Sequence, residues 1–176
     1  PLEKVVFGVN NELVEAKFKG MFVTAVFGKF NIETGEVNFV NAGHESIMVF
    51  DRDKNFEFIK SEMPPIGIIK YFTESMVKSK TINLKDKTFV VYTDGVTEGY
   101  LKNGQELGAD GVQKIVNDLN NISPKIIVDS IAEQLNWGAE KLRDDITCLA
   151  LDLKNTELIK PLKKKKLETT EKIKNN

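Results

Sequence analysis

The chain is poor in several things whose absence narrows its identity. It has one cysteine in 176 residues, Cys148, which cannot form an internal disulfide and lies in an apolar run, where it reads as a small core residue. A reducing cytoplasm is therefore the default compartment. No apolar stretch approaches the roughly 20 residues of a membrane span, and no signal peptide is visible, so this segment is not expected in a membrane. No internal repeat is evident. Charge of one sign is also lacking overall, with a formal net charge of −1. That balance hides an asymmetry: from Lys154 onward there are eight Lys against three Glu, so the tail carries +5 and the body −6. A body that acidic argues against nucleic acid as its ligand. The length suits one domain with a real core and is too short for two of ordinary size.

What is present has a readable order. Leu2, Val5, Val6, Val9 and Leu13 recur at helical spacing and predict an opening amphipathic helix. Strands are expected over residues 21–32, 36–41, 46–50, 56–59, 75–84 and 89–92, with turns at Asn31–Gly35, Asp51–Asn55 and Lys85–Lys87 and a loop at Met63–Gly67. Then the period changes. Val112, Ile115, Val116 and Leu119 predict a helix, and Ser123-Pro124 starts another, with Ser123 as N-cap, running to about Trp137. Residues 146–153 return to strand. An antiparallel meander followed by two helices and a closing strand is an α+β domain. The domain is expected over 1–153, and the basic tail over 154–176 reads as disordered.

Two aspartates carry the chemistry. Asp94 follows the apolar run Phe89–Tyr92, and Asp144 precedes the run from Ile146. An acid at a strand end costs burial energy unless a cation or hydrogen bonds compensate it. Two such ends on neighbouring strands would make a hard-oxygen site for Mg²⁺ or Mn²⁺. The residues alone leave a plainer reading open, since Asp94-Gly95 is also a common turn dipeptide. Gly95 is expected to permit a tight turn, Glu98 to be a loop acid or a partner of a metal ligand, and Trp137 to be core. His44 is read as structural or as bordering the site, although general-acid chemistry is open to an imidazole. The loop Tyr100–Asp110 is a candidate substrate contact by its nearness to Asp94.

Five strings, in order, carry a resemblance: Gly20-Met-Phe-Val-Thr24, Asn41-Ala-Gly-His44, Pro64-Pro-Ile-Gly67, Tyr92-Thr-Asp-Gly-Val-Thr-Glu98 and Arg143-Asp-Asp-Ile-Thr147. Over about residues 2–153 the chain resembles bacterial serine phosphatases of the sporulation stage II E and RsbU type, within the metal-dependent PP2C (PPM) superfamily. The resemblance implies an αββα sandwich of two antiparallel sheets flanked by helices. It implies hydrolysis of phosphoserine or phosphothreonine on a protein, often a STAS-domain anti-anti-sigma factor. Two ions, Mn²⁺ or Mg²⁺, are implied as cofactors, with Asp94 and Asp144 as metal ligands. Asp145 is expected to face away from Asp144 by strand alternation. Such a two-metal site needs no nucleophilic Ser or Cys.

The chain also departs from that pattern. The family's Gly-Asp-x-x-Asp-like and Asp-x-x-Gly-His-Gly-like motifs are not found, which leaves at most half a metal site and a sandwich without its N-terminal strands. Pro1 stands where an initiator Met would. The expectation is the C-terminal portion of a phosphatase, inactive by itself. The alternative is a non-catalytic, phosphatase-like module that binds a STAS-type partner. A homodimer covering the open sheet edge is a further expectation. A haloacid-dehalogenase reading fails, because the position two before Asp94 is Tyr92, which cannot form an aspartyl-phosphate.

Overall fold

The strands from Glu36 to Tyr92 include several that are apolar on both faces, which calls for a layer on each side of the sheet. The structure, a computed structural model, describes residues 1–16, 20–135 and 144–153 and supplies those layers. Its elements are α1 (Leu2–Glu15), β1 (Ala25–Asn31), β2 (Glu36–Ala42), β3 (Ile47–Asp51), β4 (Phe56–Ile59), a 3-10 turn (Glu74–Met76), β5 (Lys80–Asn83), β6 (Lys87–Tyr92), α2 (Asp94–Thr97), α3 (Gly108–Asp118), α4 (Pro124–Gln134) and β7 (Cys148–Leu151).

Two antiparallel sheets form, with orders β1-β2-β5 and β4-β3-β6-β7. Val37 and Phe39 of β2 meet Ile47 and Val49 of β3 and Phe89 of β6 between the sheets. The rings of Phe39 and Phe89 pack edge to face at 5.4 Å. The opposite face of β2, with Val40 and Ala42, buries Val6 of α1. The opposite faces of β3 and β6, with Met48, Phe50, Val90 and Tyr92, bury Val112, Val116, Ile127 and Ile131 of α3 and α4. The result is the expected αββα sandwich, each layer's periodicity matched to what covers it.

Some sequence expectations are corrected. The strands do not run as a meander. β5 joins β2 and β6 joins β3, because consecutive strands are divided between two sheets that must cover each other. Residues 75–84 are not one strand; the 3-10 turn precedes a short β5. Val5 is exposed, so the buried stripe of α1 is carried by Val6 and Asn10 instead. Ser123 occupies the N-cap of α4 but its side chain makes no capping hydrogen bond. Trp137, Arg143 and the tail over 154–176 lie outside the described residues. Among the described residues, no helix is long and apolar enough to cross a membrane.

Candidate metal centre

β6 and β7 run antiparallel with Tyr92 opposite Cys148, so the chain leaves β6 toward Asp94 beside the point where Asp144–Thr147 enters β7. A threonine clasp fixes this corner. The Thr93 amide donates to the Thr147 carbonyl at 3.0 Å, and the Thr147 amide donates to Thr93 Oγ1 at 3.0 Å. Thr93 Oγ1 in turn donates to the Asp145 carbonyl at 3.2 Å. Gly95, on the first turn of α2, is buried against the same segment; a Cβ there would lie 2.4 Å from the Asp145 carbonyl oxygen. The two acidic strings are thereby brought together by the Thr93 hydroxyl and by backbone contacts.

Each acid is held by its own neighbour. Asp94 Oδ1 accepts from the Gly95 amide at 2.9 Å, and Asp144 Oδ1 accepts from the Asp145 amide at 2.7 Å. The expected burial cost is corrected: Asp94, Asp144 and Asp145 are all exposed, so hydration already solvates their charge and no cation is needed to stabilise them. The alternation argument for Asp145 also fails, because Asp144 and Asp145 precede β7 and pleat geometry does not govern them. The acidic loop is a four-residue helix, with Glu98 at its C-cap, its amide donating to the Asp94 carbonyl at 2.7 Å. Gly95 is required by close approach and not by turn conformation. Cys148 is half-buried, and burial pushes its thiol up to about 11.

His44 lies at the same end of the sandwich. Thr24 Oγ1 and His44 Nδ1 are 3.2 Å apart. A cavity of about 270 Å³ between the sheets, at the β1 and β7 edges, is lined by His44, Thr93, Thr147, Tyr92 and apolar residues such as Phe39 and Leu149. The hydroxyls of Thr93 and Thr147 were not foreseen as site residues, although each sits in an acidic string whose neighbours were.

By kind, this donor set fits a hard divalent cation: two carboxylates at adjoining strand ends, open to solvent. By number it is small. Among the described residues, no group of three or more His, Cys, Asp or Glu is gathered for a metal ion.

The sequence matches the family model of Stage II sporulation protein E (SpoIIE) over residues 1–154. It is 30% identical over 135 residues to Protein IcfG of Synechocystis, aligning 74% of this chain with 20% of that protein. It is 26% identical over 149 residues to phosphoserine phosphatase RsbU of Bacillus subtilis, 80% of this chain and 42% of RsbU. The chain thus spans less than half the length of either curated relative. In fold it is similar to the manganese-presoaked phosphatase domain of the cell-fate determinant SpoIIE from Bacillus subtilis. The TM-score is 0.60 at 18% identity, covering 87% of this chain and 66% of that one. The chain belongs to the Stage II sporulation protein E (SpoIIE) family.

Proposed function

We propose that this chain is the C-terminal portion of a metal-dependent protein phosphatase that hydrolyses phosphoserine on a cytoplasmic regulatory protein, with a STAS-domain anti-anti-sigma factor as the substrate class. The observation that carries this reading is the Thr93 clasp, which fastens the Asp94 corner to the Asp144–Asp145 segment. Family membership and the phosphoserine activity in the name of RsbU support it. Asp94 and Asp144 would hold a divalent cation, Mn²⁺ or Mg²⁺, by their solvent-facing carboxylates. Such ions supply acidity to a bound water and neutralise phosphoryl oxygens. Thr93 and Gly95 set the spacing of the two acids by fixing the backbones that carry them.

For the 176-residue chain by itself we propose negligible turnover. Two carboxylates are a short ligand set for two ions. Among the described residues, no layer covers apolar side chains such as Leu149 (55% exposed) beside the cavity at the β1 and β7 edges. The short ligand set favours, for this chain alone, the second reading of a module that binds its partner without catalysis.

The test compares the full-length gene product with this chain on a phosphoserine-containing STAS protein, with and without Mn²⁺. Expected is Mn²⁺-dependent release of phosphate by the full-length protein, lost in Asp94→Asn and in Asp144→Asn, and none by the chain alone. Robust Mn²⁺-dependent hydrolysis by the chain alone, abolished by Asp94→Asn, overturns the negligible-turnover reading. A full-length protein that binds the partner and releases no phosphate overturns the enzyme reading.

A further inference from the structure

The helical layer carries a groove that the metal site does not use. α3 and α4 cover their sheet with Val112, Val116, Ile127 and Ile131, and a separate space of about 340 Å³ opens between the two helices. Leu107, Ile115 and Leu119 line it with apolar surface, while Asp118, Glu133 and Lys114, all exposed, supply its charge. Two acids against one lysine leave that lining at −1. An apolar groove with a charged rim is the form of an interaction site.

One end of the groove lies where β7 delivers the chain. Lys54, in the turn between β3 and β4, donates from Nζ to the Leu119 carbonyl at 2.8 Å, so α3 ends beside that turn. The registers Asp51↔Lys87 and Phe89↔Leu151 bring the start of β6 and the end of β7 to the same end of the sheet. α4 packs against β7 and stands between it and the groove. Residues 154–157, which follow, span up to about 14 Å when extended. That is enough to pass a helix about 10–12 Å wide.

The next residues complement the groove. Leu158, Ile159 and Leu162 are apolar, Lys160 and Lys163 are interleaved with them, and the +5 charge from Lys154 onward opposes the −6 of the body. Pro161 lacks an N–H, so the stretch suits docking by side chains better than pairing along a sheet edge. The cavity at the β1 and β7 edges has no acid among its described lining residues, so it offers these lysines no partner.

We propose that residues 158–163 dock in cis along the α3–α4 groove, their apolar side chains against Leu107, Ile115 and Leu119 and their lysines beside Asp118 and Glu133. Ordering the segment offsets much of the gain from burial, so docking is a weak equilibrium. It also reaches toward the acidic corner: the Leu107 amide donates to the Gly99 carbonyl at 2.9 Å, just beyond α2, so an occupied groove braces the chain that leaves Asp94.

The test is hydrogen exchange read by mass spectrometry on the full-length gene product. Exchange over residues 158–162, corrected for intrinsic rates, is expected to be about tenfold or more slower in the wild type than in Ile159→Asp. The protection should be the same at every protein concentration. Asp118→Lys combined with Glu133→Lys alters two exposed positions and spares the buried faces of both helices, so the fold is kept and the protection should be lost. Wild-type exchange as fast as that of Ile159→Asp overturns the proposal. So does protection that survives the charge reversal, which puts the segment elsewhere. Protection that appears only as concentration rises also overturns it, since the occupant is then the segment of a second copy. None of these outcomes bears on the phosphatase reading.

Discussion

Gly95 packs against the carbonyl of Asp145 so closely that a Cβ would sit 2.4 Å from its oxygen and 3.0 Å from its carbon. The two acidic strings are thus held at a distance that only a glycine allows. Gly95→Ala would favour the helix locally but must push the Asp144–Ile146 segment away. Overpacking wins, at a cost of about 1–3 kcal/mol. The expected outcome is a lower unfolding midpoint in urea together with weaker Mn²⁺ binding by calorimetry. An unchanged midpoint would show that the corner yields freely.

The exposure of Asp94 and Asp144 separates function from stability in a way burial would not. Asp94→Asn and Asp144→Asn are expected to change stability by no more than about 0.5 kcal/mol, as for ordinary surface positions. Both should nevertheless abolish Mn²⁺ binding. Thermal melts with and without Mn²⁺ check both halves. A large loss of stability without metal would mean the acids serve the fold.

Alkaline pH should destabilise the protein through buried Tyr92 and half-buried Cys148. Burial pushes the Cys148 thiol up to about 11, and burial, followed by the charges of Glu45 and Cys148, pushes Tyr92 up to about 12. On unfolding both return to their ordinary values and release protons more readily, so above those values the unfolded state binds fewer protons. Stability is then lost as pH rises from about 9 to about 11 for Cys148, and from about 10 to about 12 for Tyr92. Urea midpoints across that window should fall, and Cys148→Ala should flatten the lower part of the fall. A midpoint that holds steady through the window contradicts both shifts.

Asn10 is the buried polar link between α1 and the Pro-Pro-Ile-Gly loop. It is 1% exposed; its Oδ1 accepts from the Gly67 amide at 3.0 Å and its Nδ2 donates to the Ile69 carbonyl at 3.3 Å. Asn10→Ala leaves both backbone groups without that partner, at a cost of about 1–3 kcal/mol for the stranded groups. Hydrogen exchange should then quicken at the Gly67 amide before it does in β6. Exchange that stays slow at Gly67 would show that the loop holds without α1.

Much of this was legible in the sequence, because short-range periodicity reports what covers each face. The strand alternation of Val37 and Phe39 and the helical spacing of Val112 and Val116 were readable without coordinates, and the structure buries each set as that spacing requires. The Asp94 and Asp144 strings were legible as chemistry, and as family marks, by residue type and order. Their environment was not legible. Whether a strand-end acid is buried depends on which segments pack over it, and here none of the described residues does so closely enough to bury it. Gly95 shows the same limit: its sequence neighbours suggest a turn, while its real constraint is a carbonyl 50 residues away.

The sequence by itself therefore determined the type of most elements, though not the 3-10 turn before β5 or the short α2, and the identity of the acidic residues, since these follow from local spacing and side-chain chemistry. Only the tertiary structure decided the division of the strands between two sheets, the threonine clasp joining the two acidic strings, and the approach of Thr24 to His44. Those features depend on contacts between residues far apart in sequence, and local spacing does not specify which distant partners meet.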